Sequence, residues 1–204
     1  EHFSYNDLAT EINLKIGGLS FQTGMNVLVW KKNGYRPYFS VHMKCMENQI
    51  ADGMALLKEV LLSSKMDDKK RLKEIISELR TKMDTRIPAA GHVYVANRAL
   101  SYVDPMMKYK DTAEGIGFYE FIKKLDKNFD SNADLLVKQL VRAQMCIFRK
   151  ENLTLSLTGE FNFKSLMEGE MLQFNRMLYD MPCVKAVPTF VLEKKNEGFK
   201  TASK

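Results

Sequence analysis

MDDKKRLKEIISELRTKMDTRIPAAGHVYVANRALSYVDPMMKY, residues 66–109, is the stretch on which the architecture turns. Leu72, Ile75, Ile76, Leu79, Met83 and Ile87 recur every three or four positions, which places them on one face of a helix that must be covered. Asp67 and Asp68 stand where a cap belongs, and their charge suits the positive end of the helix. Lys70 with Glu74 and Glu78 with Lys82 are i,i+4 pairs worth about 0.2–0.5 kcal/mol each. Pro88 lacks an N–H and disfavours helical geometry at Ile87, so it interrupts the pattern before a second helical run over Gly91–Ser101. Helix, proline break and helix are therefore the predicted spine.

Outward from that spine the N-terminal side reads as a helix followed by a hairpin. Ser4 and Asp7 form an N-cap signature, Leu8, Ile12 and Ile16 share a face, and Gly17-Gly18 ends the helix. Leu19–Phe21 and Val27–Lys31 read as extended, Asn33-Gly34 is the strongest tight-turn signal in the chain, and a return strand is expected over Tyr38–Met46. On it Phe39, Val41, Met43 and Cys45 face one way, while Ser40, His42 and Lys44 face solvent. Asn48–Ser63 carries Ile50, Met54, Leu57 and Leu61 at helical spacing and should cover the apolar face of the hairpin.

On the C-terminal side, Asp104-Pro105 marks a turn and Met106–Thr112 reads as an irregular connection. Gly115–Asn128 is helical, with Phe118, Phe121, Ile122 and Leu125 at core spacing. Asp130 or Ser131 can cap a further helix carrying Leu135, Leu136, Gln139, Leu140, Ala143 and Ile147. Leu153, Leu155 and Leu157 alternate with Thr154, Ser156 and Thr158, the pattern of a half-buried strand that should join the hairpin. Beyond Glu160 the periodicity weakens, and Pro182, Pro188 and the charged segment Glu193–Lys204 read as a connector with a short helix around Lys164–Leu178. The fold class expected is α+β: a small antiparallel sheet covered on one side by about five helices.

The bulk numbers exclude several function classes. At 204 residues and 45% hydrophobic content the chain can bury a core. It contains no apolar run long enough to cross a bilayer, so no membrane partner is expected. The formal charge of +6 does not imply nucleic acid, because the basic residues of Lys65–Arg86 are interleaved with Asp67, Asp68, Glu74, Glu78 and Asp84. Cys45, Cys146 and Cys183 are odd in number and widely spaced, poor material for disulfides, which favours a reducing compartment and a cytoplasmic location. Asn152-Leu153-Thr154 fits a glycosylation sequon and in that setting reads as accidental.

Catalytic signatures fail one by one. His2, His42 and His92 are the only histidines, and no H-x-x-E-H motif brings two of them onto one helix face with a general base. Gly18-Leu19-Ser20-Phe21-Gln22 lacks the second glycine of a nucleophile elbow. Gly115-Ile116-Gly117 lacks the third glycine and the preceding strand of a dinucleotide site, and there is no G-K-[ST] phosphate loop. A self-sufficient enzyme would have to gather His42 or His92 with carboxylates such as Glu47 or Asp104. Among the methionines, Met43, Met54 and Met83 sit at core spacings, whereas Met106, Met107, Met167, Met171, Met177 and Met181 could equally face a neighbouring domain or a peptide.

An ordered set of short motifs carries a family resemblance. Ile16-Gly17-Gly18-Leu19-Ser20 precedes the hairpin, and a helix ending in Leu61-Leu62 leads to Lys70-Arg71-Leu72-Lys73-Glu74-Ile75. Gly91-His92, Arg98-Ala99-Leu100-Ser101-Tyr102 and Asn152-Leu153-Thr154-Leu155-Ser156-Leu157-Thr158-Gly159 follow. Over Tyr5–Glu160 the set resembles the third, noncatalytic domain of presequence-protease-like zinc metallopeptidases of the insulinase (pitrilysin) family.

The resemblance implies a LuxS/metallohydrolase-like domain truncated at its N-terminal side, occupying residues 1–160, with 161–204 a connector toward a following domain. It implies a noncatalytic structural part of a larger oligopeptide-degrading metalloendopeptidase, forming chamber wall and substrate-contact surface. Zinc belongs to the full-length enzyme, and no catalytic, metal or cofactor residue carries over onto this chain. The partners expected are the remaining domains of the same polypeptide and unfolded oligopeptides, with a dimer through an exposed sheet edge as a further expectation. A stand-alone protein-interaction module is the alternative reading.

Overall fold

The computed structural model describes residues 5–31, 34–160, 162–180 and 189–200. His2, Ser4 as a cap, Asn33, Met181, Pro182, Cys183 and Pro188 lie outside them. The elements run α1 Tyr5–Lys15, β1 Gly18–Val27, β2 Tyr35–Lys44, α2 Ile50–Leu62, α3 Lys69–Ala89, α4 Gly91–Leu100, α5 Pro105–Glu114, α6 Ile116–Lys127 and α7 Phe129–Ile147. A last helical stretch comprises α8 Phe163–Leu166, a π-helical segment Met167–Met171 and α9 Leu172–Met177. The class is α+β as expected, with more helices among the described residues than the five predicted.

The chain divides into two compact units, each with its own apolar core. One unit comprises residues 1–24, 38–66 and 138–185, and the other residues 25–37, 67–137 and 186–204.

In the first unit, α2 lies on the hairpin as its periodicity requires: Met54, Leu57 and Leu61 pack with Leu166, Met171, Phe174 and Leu178, and Phe39, Val41 and Met43 close the cluster from β2. Gly53 faces β2 closely enough that a Cβ there would stand 2.7 Å from Met43 Sδ, and the Met43 side chain would have to shift to admit it. The Phe39 ring meets Phe148 edge-on with centroids 5.6 Å apart. Gln144 is buried and its Nε2 donates to the Leu61 carbonyl at 2.8 Å, satisfying an acceptor in the last turn of α2. Asn152 Nδ2 donates to the Cys146 and Ile147 carbonyls at the end of α7, so the sequon asparagine is a helix cap.

The second unit is helical, with α3 on α6, α6 on α5, and α5 on α4. Ile76, Ile122, Phe129 and Ala133 form its core cluster, with Leu72, Leu79, Phe118, Leu125 and Leu136 packed against it. Asp68 caps α3 by accepting from the Arg71 N–H, and Glu74 pairs with Arg71 rather than with Lys70. Glu78 and Lys82 pair at 2.7 Å as predicted.

Six expectations are corrected. Among the described residues the sheet has two strands only, β1 and β2. Residues 153–158 form no strand, since alternation defines two faces of an extended segment but names no neighbour to pair with; Leu157 alone turns into the first core while Leu153 and Leu155 stay exposed. Val27–Lys31 is not a separate strand: β1 runs unbroken from Gly18 to Val27, and the Leu28 N–H donates to the Gly34 carbonyl at 2.9 Å, closing a connection longer than a two-residue turn.

Met106–Thr112 is not irregular but lies within α5, because Asp104 Oδ1 accepts from the Met106 and Met107 N–H groups while Pro105 takes the first helical position. Pro88 does not stop α3, which carries it in its last turn and ends one residue later at Ala89. Finally, Ile75, Phe121 and Leu135 are exposed, because the apolar stripe in each of these helices is wider than the face its neighbours cover, and Asp130 and Ser131 lie inside the first turn of α7 rather than at its cap.

Candidate functional site

The residues proposed from sequence for a self-sufficient enzyme are not gathered into one. His42 is exposed on β2 and His92 is exposed in the first turn of α4. Glu47 accepts from the Asn162 N–H at 3.4 Å, and Asp104 is committed to capping α5. Among the described residues no group of three or more His, Cys, Asp or Glu side chains is placed to hold a metal ion.

The second unit contains a different constellation, centred on Arg98 in α4. Arg98 and Tyr102 are four residues apart, so a helix turn brings the guanidinium beside the phenol, with its carbon 5.5 Å from the ring centroid. Ser101, fully buried between them in sequence, donates its hydroxyl to the Arg98 carbonyl at 2.7 Å. Arg98 Nη1 donates to Asp111 Oδ2 in α5 at 2.6 Å. Asp111 is 1% exposed, and a carboxylate so buried is tolerable only with a charged partner and its remaining oxygen satisfied. The Gly117 N–H supplies that second bond to Oδ1 at 3.2 Å.

Two glycines make room for Asp111. A Cβ at Gly115 would stand 2.7 Å from Asp111 Cα, and one at Gly117 would stand 2.7 Å from Oδ2. Gly115-Ile116-Gly117, read in the sequence only as a failed nucleotide motif, is thus the cradle of a buried carboxylate.

The other edge of the guanidinium faces the segment near the chain's C-terminal end. Arg98 Nε donates to Glu197 Oε1 at 2.5 Å and Nη2 to Oε2 at 3.3 Å, a side-on fork in which Nε is shared with the Tyr102 hydroxyl at 3.0 Å. The Tyr102 hydroxyl itself donates to Glu197 Oε1. Phe199 lies with its ring centroid 5.7 Å from the guanidinium, and Glu120 Oε2 is 3.8 Å from Nη2.

The electrostatics follow from these contacts. The bond to Glu197 raises the Arg98 pKa further, helped by Asp111 and Tyr102. The Arg98 bond, then that of Tyr102, holds the Glu197 carboxyl below its ordinary 4.5, and burial with the Glu197 contact pushes the Tyr102 phenol up. A polar cleft of about 130 Å³ adjoins the cluster, lined by Ser101, Lys108, Val191, Glu193 and Lys195 beside Arg98 and Tyr102.

A second polar network fastens α3 to α6. Asp126 accepts from Arg80 Nη1 and from the Ser77 hydroxyl, both at 2.7 Å, which lowers its pKa, and the Tyr119 hydroxyl donates to Asp84 at 2.5 Å. In both networks donors and acceptors answer one another. Nothing in either is arranged as a nucleophile beside a base.

Sequence reasoning missed the Arg98 cluster although it quoted most of its parts. The i,i+4 spacing of Arg98 and Tyr102 was a legible signal; their meeting with Asp111 and Glu197, 13 and 99 residues from Arg98, was not.

A family described as peptidase associated, from the insulinase (pitrilysin) group of peptidases, matches residues 1–125, a span that contains Arg98, Tyr102, Asp111, Gly115 and Gly117. Protein HypA of Clostridium perfringens is 27% identical over 205 aligned positions, which cover 98% of this chain and 20% of that protein. The mitochondrial presequence protease of Danio rerio is 24% identical over 76% of this chain and 15% of its own length, and that of Drosophila melanogaster 24% identical over 74% and 14%. The chain thus spans about a fifth or less of the curated relatives it matches. With more than half of its residues matched, the chain belongs to this peptidase-associated family of the insulinase group.

Proposed function

We propose that this chain is a noncatalytic part of a larger zinc-dependent metalloendopeptidase that degrades oligopeptides, and that it contributes chamber wall and peptide-contact surface in a LuxS/metallohydrolase-like domain. One observation carries the reading: the match to a peptidase-associated family, in a chain that aligns almost end to end with one fifth of HypA. Two features support it. The sequence offers no H-x-x-E-H motif, and the charged cluster of the second unit is satisfied within itself, which suits a framework rather than a reacting centre.

A wall acts on catalysis by restricting access and positioning the peptide, so its surface should affect substrate binding more than the chemical step. The zinc and its ligands lie elsewhere in the proposed whole enzyme, and no step of the reaction is assigned to a residue of this chain.

The test uses the purified chain and the full-length protein side by side. Zinc content is measured by elemental analysis, and hydrolysis of an unstructured peptide is followed by mass spectrometry. The full-length protein is expected to contain zinc and to lose turnover on chelation, while this chain has neither zinc nor turnover. Stoichiometric zinc or chelator-sensitive hydrolysis by the isolated chain would overturn the reading. An inactive, zinc-free full-length protein would leave the stand-alone interaction module in its place.

A further inference from the structure

The segment from Thr189 to Lys200 has no helix and no strand, so no backbone ladder fixes it. Most of its side chains are exposed. Its placement must come from a few side-chain contacts, and the strongest are those of Glu197 and Phe199 with Arg98 and Tyr102.

The receiving side is preorganised. Asp111 holds Nη1 of Arg98 from within, the Gly117 N–H holds Asp111, and the Tyr102 hydroxyl accepts from Nε at 3.0 Å, so the Nε and Nη2 edge is presented without further ordering. That edge is the geometry that reads a carboxylate with two parallel bonds. The aromatic contact lies two residues beyond the carboxylate, and the residue between them is unconstrained, since a Cβ at Gly198 meets nothing within 4 Å. Lys108 and Lys195 line the adjoining cleft, opposed there by Glu193 and, beside Nη2, by Glu120 at 3.8 Å.

We infer that Arg98 and Tyr102 form a receptor for a carboxylate-x-aromatic peptide segment, with Glu197-Gly198-Phe199 of this chain as its resident ligand. The assignment is independent of the peptidase reading. Because the ligand is tethered, it acts at an effective concentration of about millimolar, and the same sequence supplied in trans must reach that range to bind.

The experiment avoids Arg98→Ala, which would strand the buried Asp111 and unfold the region. It uses Glu197→Gln in the full chain, with Phe199→Ala as the second variant. Backbone amide order parameters from NMR relaxation read the segment, and the Arg98 side-chain Nε–H resonance reads the receptor. Glu197→Gln is expected to lower the order parameters over 189–200 to below about 0.6 while those of α3 and α6 stay near about 0.85, and Phe199→Ala to lower them by less.

The peptide acetyl-Asn-Glu-Gly-Phe-Lys-amide is then added to Glu197→Gln. It is expected to shift the Arg98 Nε–H signal with a Kd of about millimolar, and the Gln counterpart of that peptide to bind at least about tenfold more weakly. Unchanged order parameters over the segment in Glu197→Gln, failure of the glutamate peptide to bind, or equal binding of the two peptides would each overturn the receptor.

Discussion

At the scale of single residues, the two glycines around Asp111 make the sharpest claim. Gly117→Ala puts a methyl group 2.7 Å from a carboxylate oxygen that has no room to retreat, since it is already bonded to Arg98. The expected cost is about 1–3 kcal/mol, seen as a lowered urea midpoint with unchanged slope. Gly91→Ala is the control, because nothing lies within 4 Å of that Cβ and α4 begins there; it is expected to be neutral or stabilising by up to about 1 kcal/mol. Equal effects at the two sites would contradict the cradle. Asp126 gives a prediction in pH. Arg80 first, then Ser77, lowers its folded pKa below the ordinary 3.8, so its contribution is complete above that value and is lost as pH falls through the depressed one. Because Arg80 is substantially exposed, solvent screens the pair and the contribution at neutral pH is small. Asp126→Asn is therefore expected to unfold at lower urea than the parent at pH about 6, with the gap closing toward pH about 2. A constant gap across that range would show that the carboxylate charge is not what the site uses. Residue roles of this kind were the least legible in the sequence: the order Gly-Ile-Gly was visible, but its meaning depended on a carboxylate four residues before the first glycine and buried by folding.

At the scale of elements, legibility followed periodicity and caps. Helices α1, α2, α3, α6 and α7 were read from the three-to-four spacing of their apolar residues, α4 only as the run that follows Pro88, and the Asp68 cap was read correctly from its position before the stripe. The failure at α5 is instructive because its signal was present. Pro-Met-Met-Lys-Tyr-Lys-Asp shows little amphipathic pattern, but Asp104-Pro105 is an N-cap followed by a proline at the first helical position, as readily a helix start as a turn. Asp104→Ala removes an acceptor for two N–H groups and is expected to cost about 1 kcal/mol of global stability. Faster hydrogen exchange confined to the first turn of α5 would accompany it, and an unchanged unfolding midpoint would mean that tertiary packing alone holds α5 in place. The segment 153–158 failed for the opposite reason. Its alternation of leucine with Thr or Ser is real in the sequence but not realised as two faces, since Leu157 alone is turned into a core while Leu153 and Leu155 stay exposed; strand assignment needs a partner that a local pattern cannot supply.

At the scale of the molecule, the expectation of one sheet with helices layered on it gave way to two units, because periodicity says that a face must be buried and not which face will bury it. The first cluster draws on α2, β2 and the helical stretch through α9, and the second on α3, α6 and α7; no residue belongs to both. This separation has an energetic consequence. Leu57→Ala deletes contacts in the first cluster and Ile122→Ala in the second, each at an expected cost of about 2–5 kcal/mol from lost burial and the cavity left behind. Mutations that share no partners add, so the double variant is expected to lose the sum of the two within about 0.5 kcal/mol, provided the chain still unfolds as one cooperative system. Hydrogen exchange distinguishes that case from independent units: Leu57→Ala would then speed exchange in α2 and α9 while α3 and α6 keep their protection, and Ile122→Ala would do the reverse. A coupling energy well beyond about 0.5 kcal/mol would contradict the separation of the two clusters, while loss of protection in both helix sets from either single substitution would mean that the two cores unfold as one cooperative system.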